Sequence, residues 1–303
     1  MAAADPFVLQ LRDRVLDCRA DALRDVGAYV MGILNVTPDS FADGGRYDTV
    51  DGALRQADAM LTEGAAILDI GGESTRPRGK TYGDGAAAVA EEEELARVLP
   101  VIEAIRARFP DALFSVDTYK PRIAREALDR GVHLVNDVTG LRFSPQSAEY
   151  AARVGAAVCV MHALGGPGDM PHQHAYADVV GEVSQSLVES VQTAKVAGVG
   201  SVLVDPGFGF GKTTAENLRL VAYTDRIASQ TGCPVLIGAS RKSSIGQILR
   251  PGDPPPASER LFGSVGVAVA AVRWGASVVR VHDVRATVEA LRGFAAVKGE
   301  RTD

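Results

Sequence analysis

The chain has 303 residues, 46% of them hydrophobic, and a formal charge of −6. A chain of this size buries a substantial core without staples, and its acidic balance excludes a broad basic footprint for nucleic acid. Cys18, Cys159 and Cys233 are odd in number, far apart and free of any Cys-x-x-Cys pairing, which argues against a disulfide framework or structural zinc and for a reducing cytoplasm.

Residues 1–28 read as an extension ahead of the repeating part of the chain. Leu9, Leu11, Val15, Leu16, Ala20 and Leu23 recur at roughly helical spacing. A helix closing the bottom of the fold and a frayed extension both suit that pattern. Asp5 and the lack of a basic stretch before a long apolar core argue against a signal peptide, and no run is long enough to span a bilayer.

From Tyr29 onward, strand-like and helix-like runs alternate. Tyr29 to Leu34 is a first strand that stops at Asn35, followed by the polar segment Thr37, Pro38, Asp39, Ser40 and Asp43. Leu54, Ala57, Met60 and Leu61 mark one face of a helix over Val50 to Glu63, with Gly64 as its stop. Ala66 to Ile70 is the second strand, and a long loop leads to a helix over Val89 to Arg108 opened by Glu91 to Glu94. Leu113 to Val116 is the third strand, with Pro121 and Gly131 bounding the next helix. Leu134 and Val135, then Ala156 to Val160, make the fourth and fifth strands, with a helix at Val179 to Ala197 beyond. Ser201 to Val204 is the sixth strand, and Thr213-x-x-Glu216 is a capping box. Val235 to Ile237 and Ser277 to Val279 are the seventh and eighth, with helices over Leu261 to Trp274 and Asp283 to Ala296.

Eight strands, mostly separated by helices, predict an α/β TIM (β/α)8 barrel over residues 29–303. An open doubly wound sheet is the rival, and it rarely carries so many repeats in order. In a barrel the chemistry sits at the C-terminal ends of the strands. Those ends hold Asn35, Asp117, Asn136, Met161, Asp205, Lys242, Arg280 and His282. Singly, each has a plainer explanation as a cap, turn or surface charge. Together, two carboxylates and an amide suit a flat heterocycle with N–H donors, an Arg can stack on its face and a Lys can meet a carbonyl oxygen.

The segments MGILNVTPDSFADGG, DIGGESTRP, SVDTYKP, LVNDVTG, VMHALGGPGDM, VDPGFGFGKT, IGASRKSSIG and VVRVHDV resemble dihydropteroate synthases, and the likeness runs from Met31 to the C-terminus. The resemblance implies condensation of 6-hydroxymethyl-7,8-dihydropterin pyrophosphate with p-aminobenzoate, giving 7,8-dihydropteroate and pyrophosphate, with magnesium (Mg2+) as cofactor and a homodimer as the assembly. It implies that Asp117, Asn136, Met161, Asp205, Lys242 and Arg280 bind the pterin, and that Asp117, Asp205, Lys242 and Arg280 serve catalysis. Asn35 matches the metal ligand. Asn35, Thr75, Arg76, Arg280 and His282 match the pyrophosphate site. Phe41, Thr75, Pro77, Phe210 and Ser243 match the p-aminobenzoate pocket, and Asp39, Ser40 and Asp43 a first mobile loop. Sulfonamides, as mimics of p-aminobenzoate, are expected inhibitors.

Where the family reads Ser-Thr-Arg-Pro-Gly, Arg78, Gly79, Lys80, Thr81, Tyr82 and Gly83 follow Pro77 here, so Arg-Gly replaces the simple glycine and the loop is extended; its added charges either help hold pyrophosphate or are solvated, the second being preferred. GFGFGKT at 207–213 lacks the Walker spacing and reads as a close-packed turn holding Phe210 over the substrate mouth. His172 and His174 lack a third ligand nearby and read as a solvated loop, while His133, Cys159 and Cys233 read as structural. Two other classes share the barrel and the strand-end Asp and Asn: methyltransferases acting on methylated folates, and non-catalytic pterin binders. The methyltransferases lack the combination of Thr-Pro-Asp-Ser-Phe, Ser-Thr-Arg-Pro and Ser-Arg-Lys found here.

Overall fold

A computed structural model describes residues 5–37, 46–73, 89–165 and 174–300. The chain opens on a hairpin, β1 (Val8–Leu11) and β2 (Arg14–Asp17), paired antiparallel with Leu9 opposite Leu16. This corrects the helix expected there. The two-residue connection leaves Arg12 at φ 63°, a left-handed conformation that the sequence does not announce with Gly or Asn. With the turn in place, Leu9 and Leu11 on one strand and Leu16 on the other fall on one face, while Val15 faces solvent. The hairpin is held by Arg12 N donating to Gly155 O (2.6 Å) and by Gln10 N donating to Ser201 Oγ (2.7 Å).

The repeat follows as β3 (Tyr29–Asn35), α1 (Arg46–Thr62), β4 (Ile67–Gly71), α2 (Glu91–Arg108), β5 (Leu113–Asp117), α3 (Pro121–Asp129), β6 (Leu134–Asp137) and α4 (Pro145–Val154). It continues with β7 (Ala157–Met161), α5 (Val179–Val196), β8 (Val202–Asp205), α6 (Thr214–Ala222), α7 (Thr224–Thr231), β9 (Leu236–Ile237), α8 (Ser243–Leu249), α9 (Leu261–Arg273), β10 (Val278–Val281) and α10 (Val284–Gly299). The strand order is β8-β7-β6-β5-β4-β3-β10-β9, all parallel, and a bridge from Val204 to Val235 joins the ends. The predicted TIM (β/α)8 barrel is what forms.

Strand periodicity sorts the residues into layers. Leu68, Ile70, Val116, Val135 and Val204 face outward into the helix-packed core. Met31, Ile67, Leu134, Ala157, Leu203 and Val278 face inward and share a second core with Leu9, Leu11, Leu16 and Cys18 of the hairpin segment. The hairpin therefore seals the bottom of the barrel. Above that floor the inward positions become polar: Asp69 and Ser115, then Asp117, Asn136, Asp205 and Arg280. Among the described residues no helix is long and apolar enough to cross a membrane.

Candidate active site at the barrel rim

The acidic, amide and basic side chains expected at the strand ends meet at one rim. Arg280 on β10 donates from Nη2 to Asp117 Oδ2 on β5 (2.6 Å) and from Nε to Asp69 Oδ2 on β4 (2.5 Å). Asn136 on β6 donates its amide to the same Asp69 oxygen (3.1 Å), and Ser115 Oγ donates to Asp69 Oδ1 (2.5 Å). Asp205, at the end of β8, accepts from Gly207 N (2.7 Å). Gly238, just past β9, separates Asp205 from Arg280: a Cβ there would lie 3.8 Å from Asp205 Oδ2 and 3.8 Å from the Arg280 Cβ. Lys242, at the N-terminus of α8, donates to Phe208 O (2.6 Å), with its ammonium 4.5 Å from the centre of the Phe210 ring. Phe210 packs with Met161, Val138 and Ala163, and Tyr119 lies against this group.

Burial and charge work against each other here. Burial pushes the Asp117 carboxyl up to about 7, with Arg280 pulling the other way. Its Oδ1 is buried without a hydrogen-bond partner among the described residues. Asp205 is likewise raised by burial and opposed by Lys242. Lys242 is lowered by burial to about 8, with Asp205 opposing. A cluster of carboxylates and cations with an unpaired acceptor is built to receive donors from outside the protein.

The rest of the rim supports this cluster. His282 shares its Nδ1 with Ser240 Oγ (3.0 Å), and its backbone N–H donates to the same oxygen (3.2 Å). Asn35 ends β3 half-buried, and Ser243 opens α8. Arg241 sits at φ 59°, where a non-glycine residue carries about 1–3 kcal/mol of strain. Its Nε and Nη2 grip the two oxygens of Asp283, and its carbonyl accepts from Arg260 Nη1 (2.9 Å). The strained turn delivers Lys242 and ties the β9 loop to the β10 loop. Asp39, Ser40, Phe41, Asp43, Thr75, Arg76 and Pro77 lie outside the described residues, as do Lys80 and His172.

The family model for pterin-binding enzymes matches residues 31–282. The dihydropteroate synthase of Escherichia coli K12 is 47% identical over 268 residues, which is 87% of this chain and 89% of that one. The chain belongs to the dihydropteroate synthase family. The Xanthomonas albilineans dihydropteroate synthase with 4-aminobenzoic acid superimposes with a TM-score of 0.83 at 42% identity, covering 97% of this chain and 98% of that one. The Burkholderia cenocepacia dihydropteroate synthase complexed with 7,8-dihydropteroate gives 0.82 at 39% identity, covering 97% of each. The chain is thus a transferase, and the resemblance holds at the level of family, fold and activity.

Two residues of the synthase rim escape a reading of strand ends. Asp69 is fully buried inside an apolar strand, and the signal for it was an acid flanked by Leu68 and Ile70. Lys212 closes the glycine-rich turn, donating to Gly207 O and Phe210 O (both 3.0 Å), while Gly207, Gly209 and Gly211 all have positive φ. A Cβ on Gly207 would fall 1.9 Å from His162 O, so only glycine fits. The turn places Phe210 beside Lys242.

Lys212 also sets a pH test. Burial lowers it to about 7, against an unfolded value of about 10.4. A depressed folded value means that the stability is present above the unfolded value and is lost as pH falls towards 7. Between those limits it adds a slope of up to about 1.4 kcal/mol per pH unit. Lys212→Met should flatten the rise in urea midpoint from pH 7 to 10; parallel profiles for variant and wild type would refute the assignment.

Proposed function

We propose that this rim binds the pterin of 6-hydroxymethyl-7,8-dihydropterin pyrophosphate through Asp117, Asn136, Asp205 and Lys242, with Met161 and Arg280 bounding the ring. The observation that carries the reading is the convergence of Asp117, Asp205, Lys242 and Arg280, drawn from β5, β8, the β9 loop and β10, around an unpaired carboxylate oxygen. Carboxylates accept from ring N–H groups, and Lys242 can donate to a ring carbonyl.

The reaction breaks the methylene C–O bond, and the electron pair leaves on pyrophosphate. The arylamine lone pair of p-aminobenzoate forms the new C–N bond and a proton is released. Positive charge developing on the dihydropterin methylene is favoured by Asp117 and Asp205. Arg280, His282 and Asn35 lie on adjoining strand ends β10 and β3 and are assigned to the pyrophosphate, together with Thr75 and Arg76. Phe210 and Ser243, with Phe41, Thr75 and Pro77, are assigned to p-aminobenzoate, and sulfonamides compete there. Asp39, Ser40 and Asp43 are assigned to a loop that excludes water.

Magnesium fits the donors present. Among the described residues no group of three His, Cys, Asp or Glu suited to a metal is found, which suits Mg2+, an ion that shares its coordination with substrate phosphates and water. The Asn35 amide oxygen is the hard donor offered. When bound, the ion neutralises charge on the departing pyrophosphate.

A turnover assay with the pterin pyrophosphate, p-aminobenzoate and magnesium tests the reading. Pyrophosphate release that requires p-aminobenzoate supports it. Methyl transfer from a methylated folate, or pterin binding without turnover, favours one of the other two classes. The cytoplasm is the proposed compartment.

A homodimer is also proposed, through α9. Phe262 is 85% exposed there, with Val265, Val267 and Val269 half-buried along the same helix. Phe262→Asp should shift the species seen by light scattering from dimer to monomer; an unchanged mass would move the interface elsewhere.

A further inference from the structure

Asp69 is a carboxylate with no exposure to solvent, one layer beneath the rim, and it is committed to three donors. An isolated buried ion pair is a poor device for stability, since apolar replacements of similar volume often do as well or better. What distinguishes Asp69 is which donors it takes. A carboxylate only accepts, so Asn136 has to turn its amide NH2 towards Asp69 and its carbonyl oxygen away. The same Asp69 oxygen fixes Arg280 through Nε, leaving Nη2 for Asp117. Arg280 then reaches Asp117 through one oxygen only, and Asp117 Oδ1 stays unpaired among the described residues. Ser115 holds the other Asp69 oxygen and stops the carboxylate from rotating.

We infer that Asp69 is the positioning residue of the pterin site: by accepting from Asn136 and Arg280 it makes Asn136 an acceptor towards the substrate and keeps one Asp117 oxygen open. The inference rests on the pterin reading of the rim. Asp69 touches no substrate in this scheme and acts through its two neighbours. It favours heterocycles presenting two adjacent N–H edges, one for Asn136 and one for Asp117.

Steady-state kinetics of Asp69→Ala and Asp69→Asn test it. Asp69→Ala should raise KM for the pterin pyrophosphate about tenfold, the loss expected for one charge-assisted hydrogen bond, and leave KM for p-aminobenzoate within about twofold. Asp69→Asn can still accept from both donors through its carbonyl oxygen while its NH2 donates to Ser115, so it should recover most of that loss. If Asp69→Ala does not fold, a double-mutant cycle of Asp69→Leu, which keeps the volume and removes both acceptor oxygens, with Asn136→Ala decides. The Asp69 substitution should change pterin KM less in the Asn136→Ala background than in the wild type. Both KM values rising in step, or equal effects in the two backgrounds, would overturn the inference while leaving the pterin reading intact. A wild-type chain that neither binds nor converts the pterin would overturn both.

Discussion

Asp117→Asn is expected to lower kcat by about 10²–10³-fold, the range seen when one group stabilising transition-state charge is removed. Affinity for 7,8-dihydropteroate should fall less, by about tenfold for the one ring N–H that no longer meets a carboxylate oxygen, because the product carries no developing methylene charge. Turnover measured by pyrophosphate release and product affinity measured by calorimetry check the split. Unchanged turnover would remove Asp117 from the chemistry.

The same substitution carries a stability signature. Burial raises the folded Asp117 value to about 7, above an unfolded value of about 3.9. A raised folded value means that the contribution is fully present below the unfolded value and is lost as pH rises through the folded one. Above pH 7 the wild type holds a buried charge that asparagine does not. Asp117→Asn should therefore be the more stable protein at pH 8, with the difference shrinking towards pH 4. A slower and more stable variant is the pattern expected of a group kept for function.

Lys120→Met should cost about 3–5 kcal/mol of stability, the range for stripping one partner from a buried ion pair. Lys120 Nζ donates to Glu73 Oε2 (2.5 Å), to Glu94 Oε2 (2.6 Å) and to Val89 O (2.6 Å). The side chains of Glu73 and Glu94 are only 5% and 1% exposed, so neither carboxylate has water to fall back on. Burial already raises Glu94, and Lys120 is the charge that opposes it. Urea unfolding at pH 7 is the measurement. A loss below about 1 kcal/mol would refute the view that Lys120 holds these two buried carboxylates. Because Glu73 and Val89 flank residues 74–88, the variant also removes the tie between the two ends of the segment that carries Thr75 and Arg76.

The barrel was legible because most strand runs end abruptly in a polar residue: Leu34 gives way to Asn35, Val116 to Asp117, Val204 to Asp205. Those breaks marked both the fold and the rim, since one geometric fact, the C-terminal end of a parallel strand, places both. The N-terminal hairpin was missed because its turn, Arg12 and Asp13, has no glycine, and its leucines fit two periods over so short a run. Helix α4 was missed because its buried face is built from Ser147, Ala148 and Ala151, too small to leave a hydrophobic signal. The break between α6 and α7 at Tyr223 leaves no Gly or Pro either. Asp69 was hidden for a different reason. A reading of strand ends looks one layer too high, and the group that orders the rim lies beneath it.

The hairpin floor bears on how the molecule is made. Leu9 and Leu11 emerge from the ribosome ahead of every barrel strand, yet the core they enter includes Leu203, Leu236 and Val278. Their apolar face has no complete berth until the last strand has been synthesised. Sealing the base and closing the ring are therefore one late, non-local event, and this is the step at which a nascent chain is most open to wrong partners.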